Sequence, residues 1–158
     1  MQRRIRLTQT LLVGTDQPSA ADLQGFAQEG ISSVIDLRQK GEPGQVLPPA
    51  AEGEEARRFG LIYRHIPVPT DRIDEDTLDR VHSELSRLPE PIYIHCTSGK
   101  RSGTLALVHR AIVEGLTGDA MMARAEELGF AFGSDELRNF LKRYVDKRQS
   151  APRSVPAH

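Results

Sequence analysis

The amino-acid sequence predicts an α/β domain with a central, mostly parallel sheet of four to five strands flanked by helices. Short apolar segments at residues 31–37, 61–66 and 92–95 alternate with longer segments in which apolar residues recur at helical spacing. Strands that alternate with helices are typical of parallel sheets covered on both faces. A chain of 158 residues can bury a core. We therefore expect one domain over residues 1–148 and a disordered tail over residues 149–158, which are rich in Pro and small residues.

The first thirty residues predict a hairpin followed by a capped helix. Leu7 and the apolar residues 11–13 lie on either side of a polar Thr-Gln-Thr segment, which favours two paired strands. Ser19 is a typical helix N-cap. The helix that follows, over residues 20–29, should end at Gly30, because glycine suits a left-handed C-terminal cap.

The middle of the chain predicts a loop and two further helices around the strand at residues 61–66. Residues 38–49 contain three prolines and two glycines and therefore form a loop, which precedes a polar helix over residues 50–59. Asp74 can cap the third helix of the chain. Its apolar residues recur at helical spacing: Leu78, Val81, Leu85 and Leu88.

The C-terminal half predicts the strand at residues 92–95 and three more helices. The first of these, over residues 102–114, is apolar on more than one face, which indicates a buried position, and the others cover residues 119–128 and 135–148. Ligands of parallel α/β sheets bind at the carboxyl ends of the strands. Cys96 directly follows a strand and therefore lies at the expected binding edge.

Composition and charge argue against several classes of partner. The chain has 21 Lys and Arg against 22 Asp and Glu, so we expect neither nucleic acid nor a membrane surface as a partner. Its one cysteine cannot form an internal disulfide or a multi-thiolate metal site, and His65, His82 and His109 lack metal-ligand spacing. We expect no metal and no cofactor. Residues 1–6 lack the apolar run of a signal peptide, so we expect a soluble, cytoplasmic protein. As a separate expectation, we take the chain to be a monomer.

The segment from His95 to Gly103 carries the strongest chemical signal. A thiol is nucleophilic as the thiolate, and a free thiol with a pKa of about 8.5 is mostly protonated at neutral pH. Backbone amides of the loop, the N-terminus of the next helix and the charges of Lys100 and Arg101 would stabilise a thiolate at Cys96. Arg101 also offers a planar fork to two oxygens of a tetrahedral anion. We expect the rest of the loop to help bind that anion: His95, Thr97, Ser98, Gly99, Lys100, Ser102 and Gly103.

Two residues of this loop also have a plainer explanation. An isolated cysteine after an apolar strand is usually a small buried residue. The strand, the two glycines, Arg101 and the Ser-Gly pair together favour a nucleophile at Cys96 instead. His95 either orients the loop through hydrogen bonds and favours the thiolate, or is a satisfied histidine at the end of a strand.

Three segments give the chain a family resemblance. The sequences Val-Ile-Asp-Leu-Arg at residues 34–38, Tyr-Arg-His-Ile-Pro-Val at residues 63–68 and His-Cys-Thr-Ser-Gly-Lys-Arg-Ser-Gly at residues 95–103 resemble the cysteine-dependent phosphatases of the tyrosine and dual-specificity superfamily. Within it, the chain looks most like the bacterial beta-lactamase hydrolase-like phosphatase domain family, which residues 14–19 also fit. The resemblance covers about residues 5–130. It implies a tyrosine-phosphatase-like fold and hydrolysis of a phosphorylated protein or small molecule.

One departure from that superfamily leaves the chemistry open. Its phosphatases ordinarily place five residues between nucleophile and arginine, whereas four separate Cys96 from Arg101. Rhodanese-like sulfurtransferases use a loop of this shorter kind and would form a persulfide on the same cysteine. A third interpretation is an inactive module that binds a phosphorylated or anionic partner. The resemblance as a whole favours the phosphatase, with a thiophosphoryl-enzyme intermediate.

The remaining candidates are assigned through the resemblance or through their position at a strand end. In the resembling superfamily an aspartate on a neighbouring loop protonates the leaving oxygen, and Asp71 is our expected general acid. Asp74 is the alternative, although both residues also suit a turn or a helix cap. Ser102 would assist departure of the thiolate. Arg38 and Glu42 flank the loop after a strand, where we expect a surface charge pair or, alternatively, the rim of the pocket.

Overall fold

The computed structural model describes residues 4–150. The chain divides into two compact units whose boundary in the sequence lies between Ala106 and Leu107. The first unit holds a β-sheet with its helices, and the described part of the second is helical. The expectation of a single domain over residues 1–148 stays a prediction.

A five-stranded sheet organises the first unit. Its strands are β1 (Arg4–Thr8), β2 (Leu11–Gly14), β3 (Ser33–Asp36), β4 (Ile62–His65) and β5 (Ile92–His95), and they lie in the order β1-β2-β5-β3-β4. The β1 strand is antiparallel to β2, and the other neighbouring pairs are parallel. The predicted α/β fold with a mostly parallel sheet is therefore confirmed.

A helix follows each of the four parallel strands along the chain. These helices are α1 (Ala20–Glu29), α2 (Pro49–Arg58), α3 (Glu75–Arg87) and α4 (Lys100–Glu114), of which the start belongs to the first unit. The Ser19 side chain accepts a hydrogen bond from the backbone N–H of Asp22, and Gly30 ends α1 with a left-handed φ of 91°. Asp74 caps α3 by accepting from the N–H of Thr77. The predicted caps of α1 and α3 are thus confirmed.

A cluster of buried apolar side chains joins α1 to the two central strands. The rings of Phe26 and Tyr93 lie with their centroids 4.2 Å apart, and Leu23 and Val34 are fully buried in the same cluster. Fully burying one side chain of this size stabilises a fold by about 1.5–3 kcal/mol. Both β3 and β5 are buried along their whole length, which explains why they form short apolar segments in the sequence.

The register of the parallel strands brings four strand ends together. His95, the last residue of β5, pairs with Gly14 of β2 on one side and with Asp36 of β3 on the other. Asp36 in turn pairs with His65, the last residue of β4. The residues that follow these strands therefore emerge at one edge of the sheet, where parallel α/β folds bind ligands.

In the second unit, α5 (Gly118–Glu127) and α6 (Asp135–Ser150) approach each other closely. A Cβ atom at Gly118 would lie 2.7 Å from the Cα of Lys142, so only glycine permits this approach. The Asp146 carboxylate accepts a hydrogen bond of 2.7 Å from the backbone N–H of Gly118. The N-terminus of α5 is therefore satisfied by a side chain of α6.

The final helix is longer than the sequence indicated. We expected the folded part to end near Arg148, but α6 continues to Ser150, so residues 149 and 150 are helical rather than part of a tail. The rest of the predicted tail, residues 151–158, lies outside the described residues. None of the helices described over residues 4–150 combines the length and the apolar character needed to cross a membrane.

Candidate active site

Cys96 is buried at the carboxyl end of β5. The residue is 1% exposed, and its sulfur accepts a hydrogen bond of 3.2 Å from the backbone N–H of Gly99. The Ser102 hydroxyl lies 3.5 Å from the sulfur and 3.3 Å from the carbonyl oxygen of Gly14. A thiolate is a stronger hydrogen-bond acceptor than a neutral carbonyl oxygen. When Cys96 ionises, the Ser102 hydroxyl therefore donates its hydrogen bond to the sulfur rather than to the carbonyl oxygen of Gly14.

The surroundings of Cys96 favour the thiolate. Burial by itself raises the pKa of the thiol, because it penalises the charged form. Hydrogen bonds from the side chain and backbone of Ser102, the charge of Arg101 and a backbone hydrogen bond from Ser98 outweigh burial, so that the pKa is lowered overall. These contacts agree with the prediction that the loop stabilises a thiolate at Cys96.

The loop around Cys96 is closed by an early start of α4. This helix begins at Lys100, two residues before its predicted start, and the N–H of Gly103 already donates to the carbonyl oxygen of Gly99 at 2.8 Å. Arg101 therefore lies in the first helical turn rather than in a loop. The short spacing between nucleophile and arginine is accommodated by this early start.

Gly99 is required in the loop for two reasons. Its φ of 94° lies in the left-handed region, which favours glycine. A Cβ atom at this position would also lie 3.1 Å from both the Cα and the Cγ2 of Thr15. The close approach of Thr15 and the positive φ together allow the N–H of Gly99 to point at the cysteine sulfur.

The Arg101 side chain is 8% exposed, and the surrounding protein holds its guanidinium in place. Nη1 donates to Glu42 at 2.8 Å and to the carbonyl oxygen of Val68 at 2.8 Å, while Nη2 donates to Glu42 at 2.7 Å. Thr97 helps to hold the Glu42 carboxylate in place, because its hydroxyl donates a hydrogen bond of 2.5 Å to Glu42. Glu42 thus binds one edge of the guanidinium, and the charge of Arg101 still acts on Cys96.

Glu42 is held in its ionised form. Burial raises the pKa of its carboxyl, but hydrogen bonds from Arg101, Thr97 and the backbone of Gln39 outweigh this and lower the pKa to about 2. The alternative interpretation of Glu42, at the rim of the pocket, is therefore the better one. The expected surface charge pair with Arg38 is wrong for both residues.

Arg38 instead lies at the centre of a buried ionic cluster. Its side chain is fully buried and contacts the carboxylates of Asp36 and Glu52, each at 2.9 Å. Tyr63 donates a further hydrogen bond of 2.6 Å to Asp36. Because Asp36 ends β3 and points inward, the arginine two residues later is drawn inside rather than to the surface.

The same cluster reaches Cys96 through His95. The Nε2 atom of His95 lies 2.6 Å from Glu52, and Nδ1 lies 3.3 Å from the carbonyl oxygen of Cys96. Both partners are acceptors, which suits an imidazolium that donates from both nitrogens. Burial lowers the pKa of His95, but the Glu52 carboxylate outweighs it and raises the pKa. The supporting role expected of His95 fits this arrangement.

Glu52 is the residue that the sequence analysis missed. It lies in the polar helix α2, where a glutamate is usually exposed, and its partner His95 is 43 residues away. Asp36, Glu52 and His95 offer ligand atoms within 4.8 Å of one another, as metal ligands do. However, Arg38 donates to both carboxylates. The guanidinium of Arg38 thus already supplies the cation that these carboxylates bind, so this donor set does not fit a metal ion.

The other predicted residues occupy less central positions. Lys100 and Ser98 are exposed, and so is Asp71, which lies in a turn three residues after Val68. The Val68 carbonyl holds the start of that segment against Arg101. Asp74 accepts a hydrogen bond from the N–H of Thr77, which lowers the pKa of its carboxyl. A capping carboxylate with a low pKa suits a general acid poorly, which argues against Asp74, and Asp71 stays the predicted acid.

Comparison with known proteins places this site in a family. A model of the family described as "Beta-lactamase hydrolase-like protein, phosphatase-like domain" matches residues 4–113. The beta-lactamase hydrolase-like protein of Xylella fastidiosa is 33% identical over 119 residues, which cover 75% of this chain and 27% of that protein. The corresponding protein of Agrobacterium fabrum is 28% identical, with coverage of 84% and 30%. The chain thus spans less than a third of the length of these relatives.

Solved structures agree with the fold. A candidate phosphatase from Neisseria meningitidis is 25% identical, with a TM-score of 0.68 and coverage of 87% of this chain and 95% of that one. A variant of TpbA from P. aeruginosa, in complex with phosphotyrosine, is 19% identical, with a TM-score of 0.62 and coverage of 90% and 82%. The predicted family is confirmed, because its model matches most of the chain: the chain belongs to the beta-lactamase hydrolase-like, phosphatase-like domain family.

Proposed function

We propose that this domain is a cysteine-dependent phosphatase that hydrolyses phosphomonoesters, of the protein tyrosine or dual-specificity type. One observation carries the proposal: the buried Cys96 sulfur accepts an N–H from its loop and has a lowered pKa beside the Arg101 charge. Such a site combines a nucleophile with donors for a tetrahedral anion. A thiolate also has to stay reduced, which favours a cytoplasmic setting.

In the first step, the Cys96 thiolate attacks phosphorus. A sulfur–phosphorus bond forms while the bond from phosphorus to the leaving oxygen breaks, and Asp71 donates a proton to that oxygen. Arg101 and the loop N–H groups stabilise the charge on the equatorial oxygens. Glu42 keeps the guanidinium oriented for this task, since it binds one edge of the fork.

In the second step, water attacks the phosphorus of the thiophosphoryl enzyme. Asp71 takes a proton from the water, the sulfur–phosphorus bond breaks, and Cys96 leaves as thiolate. The Ser102 hydroxyl, 3.5 Å from the sulfur, stabilises this leaving group. Phosphate and the original enzyme are the products.

Glu52 and His95 support both steps as positioning residues. The imidazolium of His95 donates to the carbonyl oxygen of Cys96, which fixes the peptide that begins the loop. Glu52 favours protonation of His95, because its carboxylate lies 2.6 Å away in a fully buried site and raises the pKa of the imidazole. The first loop amides are thereby aimed at the anion.

The comparisons support a phosphatase in general terms, and the substrate type is our inference. The family is phosphatase-like, and the TpbA variant binds phosphotyrosine within a similar fold. A sulfurtransferase remains the second candidate, because four residues separate Cys96 from Arg101. In that reaction Cys96 would take a sulfane sulfur from a donor and pass it to a thiol, and Asp71 would have no role.

One assay separates these functions. Purified protein is offered an aryl phosphate in one reaction and thiosulfate with cyanide in another, with Cys96→Ser as the control. We expect phosphate release that Cys96→Ser abolishes. Thiocyanate without phosphate release would establish the sulfurtransferase instead, and absence of both products together with phosphate binding would indicate an inactive binding module.

The general acid is tested with a matched pair of aspartates. Asp71→Asn should lower phosphate release most at lower pH, where a protonated Asp71 can donate to the leaving oxygen, and the fall in rate with rising pH should flatten in the variant. Asp76→Asn, an exposed aspartate in the first turn of α3, should leave the rate unchanged. Equal pH profiles for the two variants would exclude Asp71 as the acid.

A further inference from the structure

A second concave site borders β4 at the edge of the sheet. This cavity has a volume of about 470 Å³, which lies in the range of ligand-binding sites. Four of its lining side chains are basic and none is acidic: Lys40, Arg57, Arg64 and His65. We name it the basic cavity. A pocket lined by charges of one sign concentrates ligands of the opposite charge.

The charges of the basic cavity are largely uncompensated. Among the ion pairs of residues 4–150, none joins Lys40 or Arg57 to a carboxylate within 4.0 Å. Arg64 lies 3.8 Å from Glu84, but that carboxylate also binds Arg87 at 2.5 Å. The cavity therefore keeps a net positive charge for an incoming anion.

One lining residue of the basic cavity, His65, ends β4 at the same carboxyl edge of the sheet as the strand end that leads to Cys96. His65 pairs with Asp36, and Asp36 pairs with His95, so two strand spacings separate His65 from the residue before Cys96. At about 4.8 Å a spacing, the backbone of His65, at one end of the basic cavity, lies about 10 Å from that of His95. Lys40 belongs to the loop that carries Glu42, the partner of Arg101.

This distance matches a repeat of extended peptide. Three residues of an extended chain span about 10 Å. A peptide whose phosphorylated residue enters the Cys96 loop can therefore place the side chain three positions away over the basic cavity. An arginine fork binds a carboxylate or a phosphate through paired hydrogen bonds.

We propose that the basic cavity is a specificity subsite for an acidic or phosphorylated residue three positions from the phosphorylated residue of a peptide substrate. The proposal rests on the proposed phosphatase function and extends it to the substrate class. Binding at this subsite involves no covalent step. It raises kcat/KM for peptides that carry the second negative charge.

The test compares phosphotyrosine peptides that differ only in charge. One peptide carries Glu three residues before and three residues after the phosphotyrosine, and its partner carries Ala at both positions. We expect the Glu peptide to have a kcat/KM about fivefold higher at low salt, which is the upper range for exposed ion pairs. The preference should shrink as ionic strength rises.

Two neighbouring arginines provide a matched control. Arg57→Gln removes a charge from the basic cavity and should abolish the preference for Glu. Arg58→Gln removes the next charge along α2, which does not line the cavity and lies 3.5 Å from Glu55. It should keep the preference. Equal kcat/KM for both peptides, or an unchanged preference in Arg57→Gln, would overturn the subsite.

Two further measurements separate the subsite from the reaction. An aryl phosphate reaches only the Cys96 loop, so its hydrolysis should be equal in the unchanged protein, Arg57→Gln and Arg58→Gln. Failure to hydrolyse it at all would count against the phosphatase, and anisotropy measurements of peptide binding would then test the basic cavity alone. If the protein prefers a small bisphosphate to a monophosphate but does not distinguish the Glu peptide from the Ala peptide, the proposal that a peptide occupies the basic cavity is wrong.

Discussion

Two arginines of this fold have similar partners but differ in what their surroundings leave accessible. Arg38 is fully buried and contacts two carboxylates, each at 2.9 Å. Arg101 binds one carboxylate, and its side chain keeps 8% exposure beside the Cys96 sulfur. The same guanidinium chemistry therefore serves a closed structural cluster at one position and a candidate anion site at the other.

The difference shows that one arginine stabilises the fold while the other is available to act on an anion. Buried charges are tolerated when each has a partner, and the Arg38 cluster meets this condition entirely within the protein. Arg101 meets it on one edge, through Glu42 and the carbonyl oxygen of Val68. The positive charge of Arg101 also acts on Cys96 and on any anion that the loop holds. Substitutions at the two positions should therefore fail in different ways.

The largest effect is expected from Arg38→Met. Removing the guanidinium leaves Asp36 and Glu52 as buried carboxylates without a cation, which should reduce the free energy of unfolding by about 3–5 kcal/mol. Urea denaturation measures the loss. The control is Arg58→Met, whose side chain is 72% exposed and should change stability by less than about 0.5 kcal/mol. Similar losses for both variants would contradict a special role for the buried cluster.

The next effect concerns activity. Arg101→Lys replaces a fork with a point charge, and kcat/KM for an aryl phosphate should fall by about 10²–10³-fold while the protein stays folded. Lys100→Gln, at the exposed neighbour, should lower it by less than about threefold. The reverse order of these two losses would assign the anion contact to Lys100.

The third prediction follows the ion pair between Glu42 and Arg101 with pH. The pKa of Glu42 is lowered from 4.5 to about 2, so its contribution is complete above about pH 5 and disappears as the pH falls toward 2. Glu42→Gln should therefore cost up to roughly 3 kcal/mol at neutral pH and progressively less below pH 4.5. Denaturation curves from pH 7 to pH 2 test this, with the exposed Glu54→Gln as the flat reference.

The smallest effect should appear in the ionisation of Cys96. Glu52→Gln removes the carboxylate that does most to raise the pKa of His95, so this pKa should fall and the imidazole should orient the loop less well. The pH midpoint for alkylation of Cys96 by iodoacetamide should rise by about one unit. A merely structural role would lower stability without moving that midpoint, and Glu54→Gln should change neither quantity.

Local signals explain what the sequence could predict. The alternation of apolar segments predicted all five strands, and Ser19, Gly30 and Asp74 marked helix ends that the structure confirms. The loop that holds Cys96 was recognisable because its residues are contiguous. In each case, the residues that allow the prediction are close together in the sequence, within one turn or one strand, so the pattern is visible without knowledge of the fold.

Long-range partners explain what the sequence could not predict. Arg38 and Glu42 looked like a surface pair because both lie in one polar loop, yet they bind Glu52 and Arg101, which are 14 and 59 residues away. Sequence spacing contains no information on contacts of this kind. The sequence contained one local hint: Asp36 lies within an apolar segment, and Arg38 follows two positions later. An arginine drawn inside by such an aspartate needs a second carboxylate as a partner.

The early start of α4 has a consequence for the range of anions that the loop can hold. Gly99 is fixed by its contact with Thr15 and by its hydrogen bond to Gly103, and Arg101 is fixed within the helix. Only Cys96, Thr97 and Ser98 link β5 to this rigid part. The diameter of the ring is therefore determined by the backbone of three residues, and discrimination between anions of different radius becomes a property of the backbone rather than of side-chain choice.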